Sequence, residues 1–451
     1  MIETPATEVF RWHERPGALD RLLPPWENVR ILHRTGGIHN GDRVELSVRL
    51  GPIPLHWRLE HRDYIQGHQF RDVQLSGPFA HWEHVHRFEA EGDGICRMVD
   101  EIAYELPMGR PGKVMAGDMV RRRLEKLFAF RHQRTAEDIR SHRAYRDRRR
   151  LRVLVSGASG LIGSAVTAFL RTGGHEVRRL TRGPKRDTGD YRWDPTRSWL
   201  EEGALEDVDA VVHLAGENLA RGRWTKTRKR EIWRSRIEGT RLLAEAMAGV
   251  ERRGRVMVSA SAIGFYGTSA QTCSEAAPAG AGFLSELCRH WEAASREAED
   301  AGVRTVQLRF GVVLDPQGGA LASMLPAFRS GLGGALGSGR QPVSWISLDD
   351  AVEAIHHAMM HEPLRGPINA VAPAPVSNAE LVATLGRVLR RPARLRVPGV
   401  VLRAMFGQMA EEVLLDGVRV IPERLLDQGF VFRHTDVETA LRFMLGSVRA
   451  D

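Results

Sequence analysis

The stretch Val153-Leu154-Val155-Ser156-Gly157-Ala158-Ser159-Gly160-Leu161-Ile162-Gly163 constrains this chain more than any other. Its apolar run reads as a buried parallel strand, its glycines recur at every third position, and Ser164 to Leu170 reads as a helix. Strand, glycine turn and helix in that order suit a dinucleotide pyrophosphate, because a helix N-terminus offers unpaired N–H groups to an anion. Gly157 is expected to make the tight turn, Gly160 to let the phosphate approach, and Gly163 to bring helix and strand together. Ser159, Leu161 and Ile162 complete the loop and count with the glycines as candidate cofactor-binding positions. A glycine pattern alone is weak; the flanking strand and helix give it meaning, with a purely structural turn as the alternative.

At 451 residues the chain is too long for one ordinary domain, and boundaries are expected at 1–148, 149–375 and 376–451. No apolar run approaches the roughly 20 residues of a membrane span. Met1-Ile2-Glu3-Thr4-Pro5 has neither the basic nor the apolar region of a secretory signal. Cys96, Cys273 and Cys288 are far apart and form no C-x-x-C pair, which suits a reducing cytoplasm and excludes a thiolate metal site. The net charge of +9 is concentrated: residues 121–150 hold twelve Lys/Arg against four Asp/Glu. A confined basic segment reads as a solvated helix face, so no nucleic-acid partner is expected.

Residues 1–148 open with a short amphipathic helix around Glu8–His13, and Pro24-Pro25-Trp26 forms a stiff turn with a large anchor. Period-two stretches follow: Val44, Leu46, Val48 and Leu50; Trp57 and Leu59; Trp82, His84, His86 and Phe88; Met98, Asp100, Ile102, Tyr104 and Leu106. From Lys113 to about Arg140 the period becomes helical, with Met115, Met119, Val120, Leu124, Leu127 and Phe128 on one side. Helix, antiparallel strands and long helix predict an α+β fold with a curved sheet around the last helix. His84 and His86 point the same way and would need a third ligand to hold a metal. None is identifiable in the sequence, so cavity lining is expected there and no metal site.

On Phe10-x-Trp12-His13, Pro24-Pro25-Trp26, Gly77-Pro78-Phe79-x-x-Trp82-x-His84-x-His86-x-Phe88 and Tyr104-x-Leu106-Pro107, this segment resembles the START-like SRPBCC, or polyketide cyclase/dehydrase-like, superfamily. The resemblance implies a helix-grip domain with a cavity for an apolar ligand. Such folds open with a strand before the first helix, whereas almost nothing precedes Thr7. Either that edge strand is missing or the true start lies upstream.

In residues 149–375, Glu176–Arg182 reads as the second strand of a doubly wound parallel sheet. Asp209–Gly216, Arg255–Ser261 and Val303–Arg309 repeat the pattern, and helices are expected over Trp233–Met247 and Phe283–Ala298. The second strand ends about 20 residues past the glycine loop, where NAD enzymes carry an acid for the ribose 2′-hydroxyl. Thr181-Arg182 stands there instead, with Lys185 and Arg186 behind. An arginine pairs with a 2′-phosphate, so NADP(H) is expected in preference to NAD(H). Leu214, Ala215 and Gly216 end the next strand with residues mostly small enough for a cofactor to lie across it.

Leu214-Ala215-Gly216-Glu217-Asn218, Arg223-Trp224, Ser235-Arg236, Ser259-Ala260-x-x-Gly264-x-Tyr266-Gly267, Trp291-Glu292, Arg309-x-Gly311 and Trp345-Ile346-x-x-Asp349-Asp350 resemble the extended and atypical short-chain dehydrogenase/reductases. Closer still is their epimerase-like branch with a small C-terminal domain of the DUF1731 type. The resemblance covers residues 151 to about 445. It implies cofactor contacts at Thr181, Arg182, Leu214, Ala215 and Arg236, with Glu231 as a further candidate. It also implies a Tyr-x-x-x-Lys helix for proton transfer, yet Phe283 and Leu287 occupy those two places. Ser259, Ser261 and Tyr266 are the candidate replacements, while Glu217 and Asn218 would orient a substrate or cap the next helix. The function implied is an NADP(H)-dependent oxidoreductase or epimerase-like enzyme acting on a small carbonyl or hydroxyl compound. The alternative is a non-catalytic NADPH-binding regulatory protein.

In the C-terminal segment, Gly366–Ala372 reads as a last strand and Ser377-Asn378-Ala379-Glu380 as a cap opening a helix to Leu389. A second helical region is expected from Val397 to Leu415.

Overall fold

Alternating apolar residues between positions 29 and 105 build one antiparallel sheet whose six strands pair in chain order. The computed structural model describes residues 1–50, 53–92, 94–185, 188–250 and 254–447, and the side chain of Leu50 and Arg186 lie outside the described set. The chain divides into two compact units, Met1–Asp147 with Arg171–Gly174, and Arg148–Leu170 with His175–Ser447.

The first unit begins with α1 (Ala6–Glu14) and α2 (Ala18–Leu22). Strands β1 (Val29–Arg34), β2 (Arg43–Leu50), β3 (Ile53–Ile65), β4 (Gln69–Ser76), β5 (His81–Ala90) and β6 (Cys96–Glu105) follow, and then α3 (Arg110–Arg143). Val9, Phe10 and Trp12 of α1 are buried with Phe70, Phe88 and Ile139, while Val44, Leu46, Leu59 and Trp82 form a second cluster. Trp26 meets Phe130 of α3 edge to face at 5.0 Å. This is the helix-grip arrangement.

Two expectations for this unit change. Phe128 is buried and Leu124 and Leu127 are half-buried, but Met115 and Met119 are exposed. Length explains it: the 34 residues of α3 span about 51 Å, against about 33 Å for a ten-residue strand, so part of the helix overhangs the sheet. At the edge where that strand was expected, Ile2 and Cys96 form a bridge and exchange backbone hydrogen bonds of 2.8 and 2.9 Å.

The second unit holds β7 (Arg152–Ser156), α4 (Leu161–Thr172, whose last two residues belong to the first unit), β8 (Glu176–Thr181), β9 (Asp190–Asp194), β10 (Trp199–Leu200) and β11 (Ala210–His213). Next come α5 (Lys226–Ala248), β12 (Val256–Ala262), α6 (Phe283–Ala293), α7 (Arg296–Asp300) and β13 (Arg304–Phe310). The sheet runs β10-β9-β8-β7-β11-β12-β13 and ends on the Gly366–Ala370 strand; only the β10–β9 pair is antiparallel. The order reverses between β7 and β11, and ligands of such sheets bind at that crevice.

β9 is only five residues long, and the alternation in Asp190-Tyr191-Arg192-Trp193-Asp194 holds just two apolar residues, too few to mark a strand. The helix expected over Phe283–Ala298 is interrupted at Ser295, whose hydroxyl turns back to the Glu292 carbonyl at 2.8 Å. Ser377 caps the Asn378–Leu389 helix in a reciprocal box with Glu380. The Val397–Leu415 region becomes a helix at Gly399–Phe406 and a π-helical turn at Ala410–Leu415. The C-terminal helices pack their Leu381, Leu385, Val437 and Leu441 against Leu325, Phe328 and Trp345.

Candidate cofactor site

The glycine loop lies between β7 and α4, at the sheet's switch point. Gly157 has φ +71°, and a Cβ on it would stand 2.8 Å from the Ala215 nitrogen and the Leu214 carbonyl carbon. A Cβ on Gly163 would stand 2.1 Å from the Gly157 carbonyl oxygen, so any side chain there would push helix from strand. The Gly160 amide closes the turn on the Gly157 carbonyl at 2.9 Å. Ser159 and Gly160 are exposed at the tip, and Leu161 and Ile162 are half-buried behind it. Exposed backbone at a helix N-terminus fits a pyrophosphate.

The loop after β11 forms the other wall. Leu214 and Ala215 are half-buried and Gly216 is exposed. Arg236 on α5 braces this loop: its Nη2 donates to the Glu217 carbonyl at 3.0 Å, and its guanidinium lies 5.1 Å from the Trp291 ring. A Cβ on Gly216 would stand 3.3 Å from the Arg236 guanidinium carbon. Burial lowers the pKa of Arg236 to about 10, so it stays cationic at neutral pH. Below the glycine loop, the Ser156 hydroxyl and His213 Nδ1 are 2.6 Å apart, and burial pushes that imidazole down to about 4.

At the end of β8, the Thr181 hydroxyl accepts from the Gly183 amide at 3.1 Å and Arg182 is exposed. Lys185 is occupied by Glu201 at 2.5 Å. Glu231 is instead paired with Arg228 at 3.0 Å, and Arg228 also reaches Glu217 at 3.1 Å. Neither Glu217 nor Asn218 caps α5. Thr225 does so by accepting from the Arg228 amide, while Asn218 folds back onto the Ala220 amide.

The three candidate proton donors are all buried. The Ser259 hydroxyl donates to the Ala260 carbonyl at 3.3 Å. Ser261 donates to Glu292 at 2.7 Å. The Tyr266 hydroxyl donates to Asn369 at 2.7 Å and accepts from Arg309 at 2.9 Å, and burial raises its pKa. Arg309 also makes a two-pronged pair with Glu292, at 2.8 Å on each side. Glu292, Arg309 and Asn369 received no role from the sequence. Sheet register joins them, since Ser261 pairs with Arg309 and Arg309 with Asn369 on successive strands. Leu287, in the lysine place of the family pattern, is packed with Trp224, Ile232 and Trp291, and Phe283 lies against the same cluster. A separate cavity of about 480 Å³, lined by Trp233, Arg241 and His290 among others, shares no residue with the glycine loop.

Three family profiles match. Residues 2–130 match the polyketide cyclase/dehydrase and lipid transport family, residues 153–370 the NAD-dependent epimerase/dehydratase family, and residues 397–444 a domain of unknown function, DUF1731. An epimerase family protein of Mycobacterium bovis is 45% identical over 64% of this chain and 96% of its own length. The crystal structure of the nucleoside-diphosphate sugar epimerase from Corynebacterium glutamicum superposes with a TM-score of 0.81 at 33% identity, covering 99% of this chain and 89% of that one. The crystal structure of human epimerase family protein SDR39U1 (isoform 2) with NADPH gives a TM-score of 0.62 at 37% identity, covering 66% of this chain and 100% of that one. With a glycine loop at the switch point of a parallel sheet and relatives covered almost end to end, this chain belongs to the NAD-dependent epimerase/dehydratase family, in the branch that carries a DUF1731 domain.

Proposed function

We propose that the second unit binds NADP(H) in preference to NAD(H) and works as an NADP(H)-holding module without the family's tyrosine–lysine proton relay. One observation carries the cofactor choice: Arg182 is exposed at the C-terminal end of β8, where an acid would select the unphosphorylated ribose. The human relative crystallised with NADPH supports it. The reading without a relay is supported by Phe283 and Leu287 and by the burial of Ser259, Ser261 and Tyr266. Glu231, paired with Arg228, is left out of the proposed cofactor set; Arg236 acts by holding the Leu214–Gly216 loop.

A second reading is hydride exchange with a small carbonyl or hydroxyl compound. It is favoured by similarity along 99% of the chain to a protein named a nucleoside-diphosphate sugar epimerase. In that reading the proton comes from substrate or water. The first unit then supplies a pocket for an apolar ligand, in keeping with the lipid-transport family it matches. Three free, buried cysteines suit the reducing cytoplasm as the working compartment.

Fluorescence titration with NADPH and NADH tests the cofactor. Arg182→Ala is expected to weaken NADPH about 10- to 100-fold and leave NADH unchanged, the effect of removing charge-assisted bonds to one phosphate. Equal losses for both nucleotides would sink the assignment of Arg182. Steady NADPH oxidation with any member of a panel of carbonyl compounds and sugar nucleotides would replace the first reading with the second.

A further inference from the structure

In the first unit, strand pairing gathers a set of acids and imidazoles that the cofactor site does not use. His84 and His86 share one face of β5. Register places Asp72 of β4 opposite His84, and Asp100 of β6 opposite His86. His84 and His86 are only 1% and 5% exposed. Phe128 of α3 covers the His84 ring edge to face at 5.0 Å, and Phe70 stacks on His86 at 4.1 Å.

The two faces of these imidazoles point at different carboxylates. On one side, His84 Nδ1 and His86 Nε2 stand 3.6 and 3.4 Å from the same oxygen, Asp72 Oδ2. On the other, His84 Nε2 is hydrogen-bonded to Asp100 Oδ1 at 2.8 Å, and His86 Nδ1 contacts that oxygen at the same distance. Each acid is held in turn: His61 Nδ1 lies 2.6 Å from Asp72 Oδ1, and His132 Nε2 lies 2.5 Å from Asp100 Oδ2. One donor atom from each of Asp72, His84 and His86 lies within 4.8 Å of the other two.

These spacings suit an ion. Nitrogen and oxygen ligands about 2.0–2.1 Å from a tetrahedral metal stand about 3.3–3.4 Å apart. The 3.4 and 3.6 Å separations are already close to that edge. Ligating imidazoles commonly give their second N–H to a carboxylate, which is where Asp100 stands. A divalent cation would also answer the charge of the two acids that flank the imidazoles from β4 and β6.

We propose that Asp72, His84 and His86 form a mononuclear site for a divalent transition metal, with Asp100 as the positioning residue for both imidazoles. Three protein donors leave a coordination position for water or a ligand oxygen, the pattern of reactive rather than purely structural sites. The site gives the first unit a polar anchor for a ligand whose remainder is apolar. It is independent of the nucleotide site.

The test uses the full chain, free of any affinity tag and stripped with EDTA, titrated with Zn²⁺ and followed by elemental analysis and thermal melting. One ion per chain and a raised Tm are expected, and Co²⁺ in its place should give a ligand-field spectrum of low coordination number. Asp72→Asn and His86→Gln should abolish stoichiometric binding. Asp100→Asn should weaken it about 10- to 100-fold without changing the Co²⁺ spectrum. Exposed His33→Ala should change nothing. Because a core variant can fail to fold, nitrogen NMR of the wild-type imidazoles provides a second readout: Zn²⁺ should shift Nδ1 of His84 and Nε2 of His86. Lack of saturable Zn²⁺ and Co²⁺ binding by the wild-type chain overturns the proposal, leaving a hydrogen-bonded ion cluster. Stoichiometric binding that survives loss of both histidines does so too.

Discussion

Both units bury acids beside bases within a sheet, yet the two clusters are built to different ends. In the second unit, Ser261, Glu292, Arg309, Tyr266 and Asn369 form a closed network. Both Glu292 oxygens are taken, the tyrosine hydroxyl donates and accepts, and the Asn369 amide goes on to the Ile421 carbonyl at 3.0 Å. In the first unit, two imidazoles and an acid converge on one point, with their outer atoms held by other side chains. A network with every partner supplied rigidifies a core. Donors that converge with their backs held leave room for a further group.

The imidazoles show the same contrast. Burial, and after it the Arg236 charge, pushes His213 down to about 4. Burial acts on His86 in the same sense, but Asp100 and Asp72 override it and hold the group up at about 9. Burial opposes ionisation of Asp72 and Asp100 as well, and their histidine neighbours hold both carboxyls well below the usual range. Counter-charge, more than depth, decides the outcome.

The comparison can be broken most severely at Arg309. Arg309→Met strips the Glu292 carboxylate of its counter-charge and should cost the second unit about 3–5 kcal/mol, read from its urea transition. A loss below about 1 kcal/mol would mean the network braces nothing. A smaller effect concerns pH. His213 is neutral when folded and titrates near its ordinary 6.5 when unfolded, so the unfolded state binds the extra proton. The stabilisation is present above about pH 6.5 and is lost as pH falls toward 4, up to about 3 kcal/mol in all. His213→Asn should flatten that part of a stability–pH curve; an unchanged slope would place the sensitivity in other groups. The mildest test is Tyr266→Phe. It removes the hydrogen bond donated to Asn369 and the one accepted from Arg309, and should cost about 1–2 kcal/mol while leaving NADPH affinity unchanged. A large fall in affinity or turnover would return Tyr266 to the site.

Much of the second unit was legible in advance because its signals are local. The glycine turn needs particular residues at particular places: Gly157 for its positive φ, Gly163 for contact with the Gly157 carbonyl. The Ser377–Glu380 box marked the start of its helix for the same reason. The family's missing dyad was equally plain, since Phe283 and Leu287 cannot move a proton. Other features depended on distant parts of the chain. Ser259, Ser261 and Tyr266 were read by residue type and order, but their exposure depends on strands and loops far away in the chain. Met115 and Met119 were read by helical period, which says which residues share a face and not how far the opposing sheet extends.

Sequence alone therefore determined what short-range chemistry controls: the parallel α/β order, the glycine loop, the place of Arg182 just past the second strand and the position of His84 and His86 on one strand face. The tertiary structure decided which distant residues meet. Asp72 lies on β4, where Gln69-Phe70-Arg71-Asp72-Val73 has no clean apolar alternation to announce a strand. It becomes a third donor only because β4 pairs with β5 in the register that sets Asp72 opposite His84. Arg309 likewise joins Ser261 and Asn369 only across three parallel strands. Pairing register is set by long-range packing on both faces of a sheet, and no local pattern contains it.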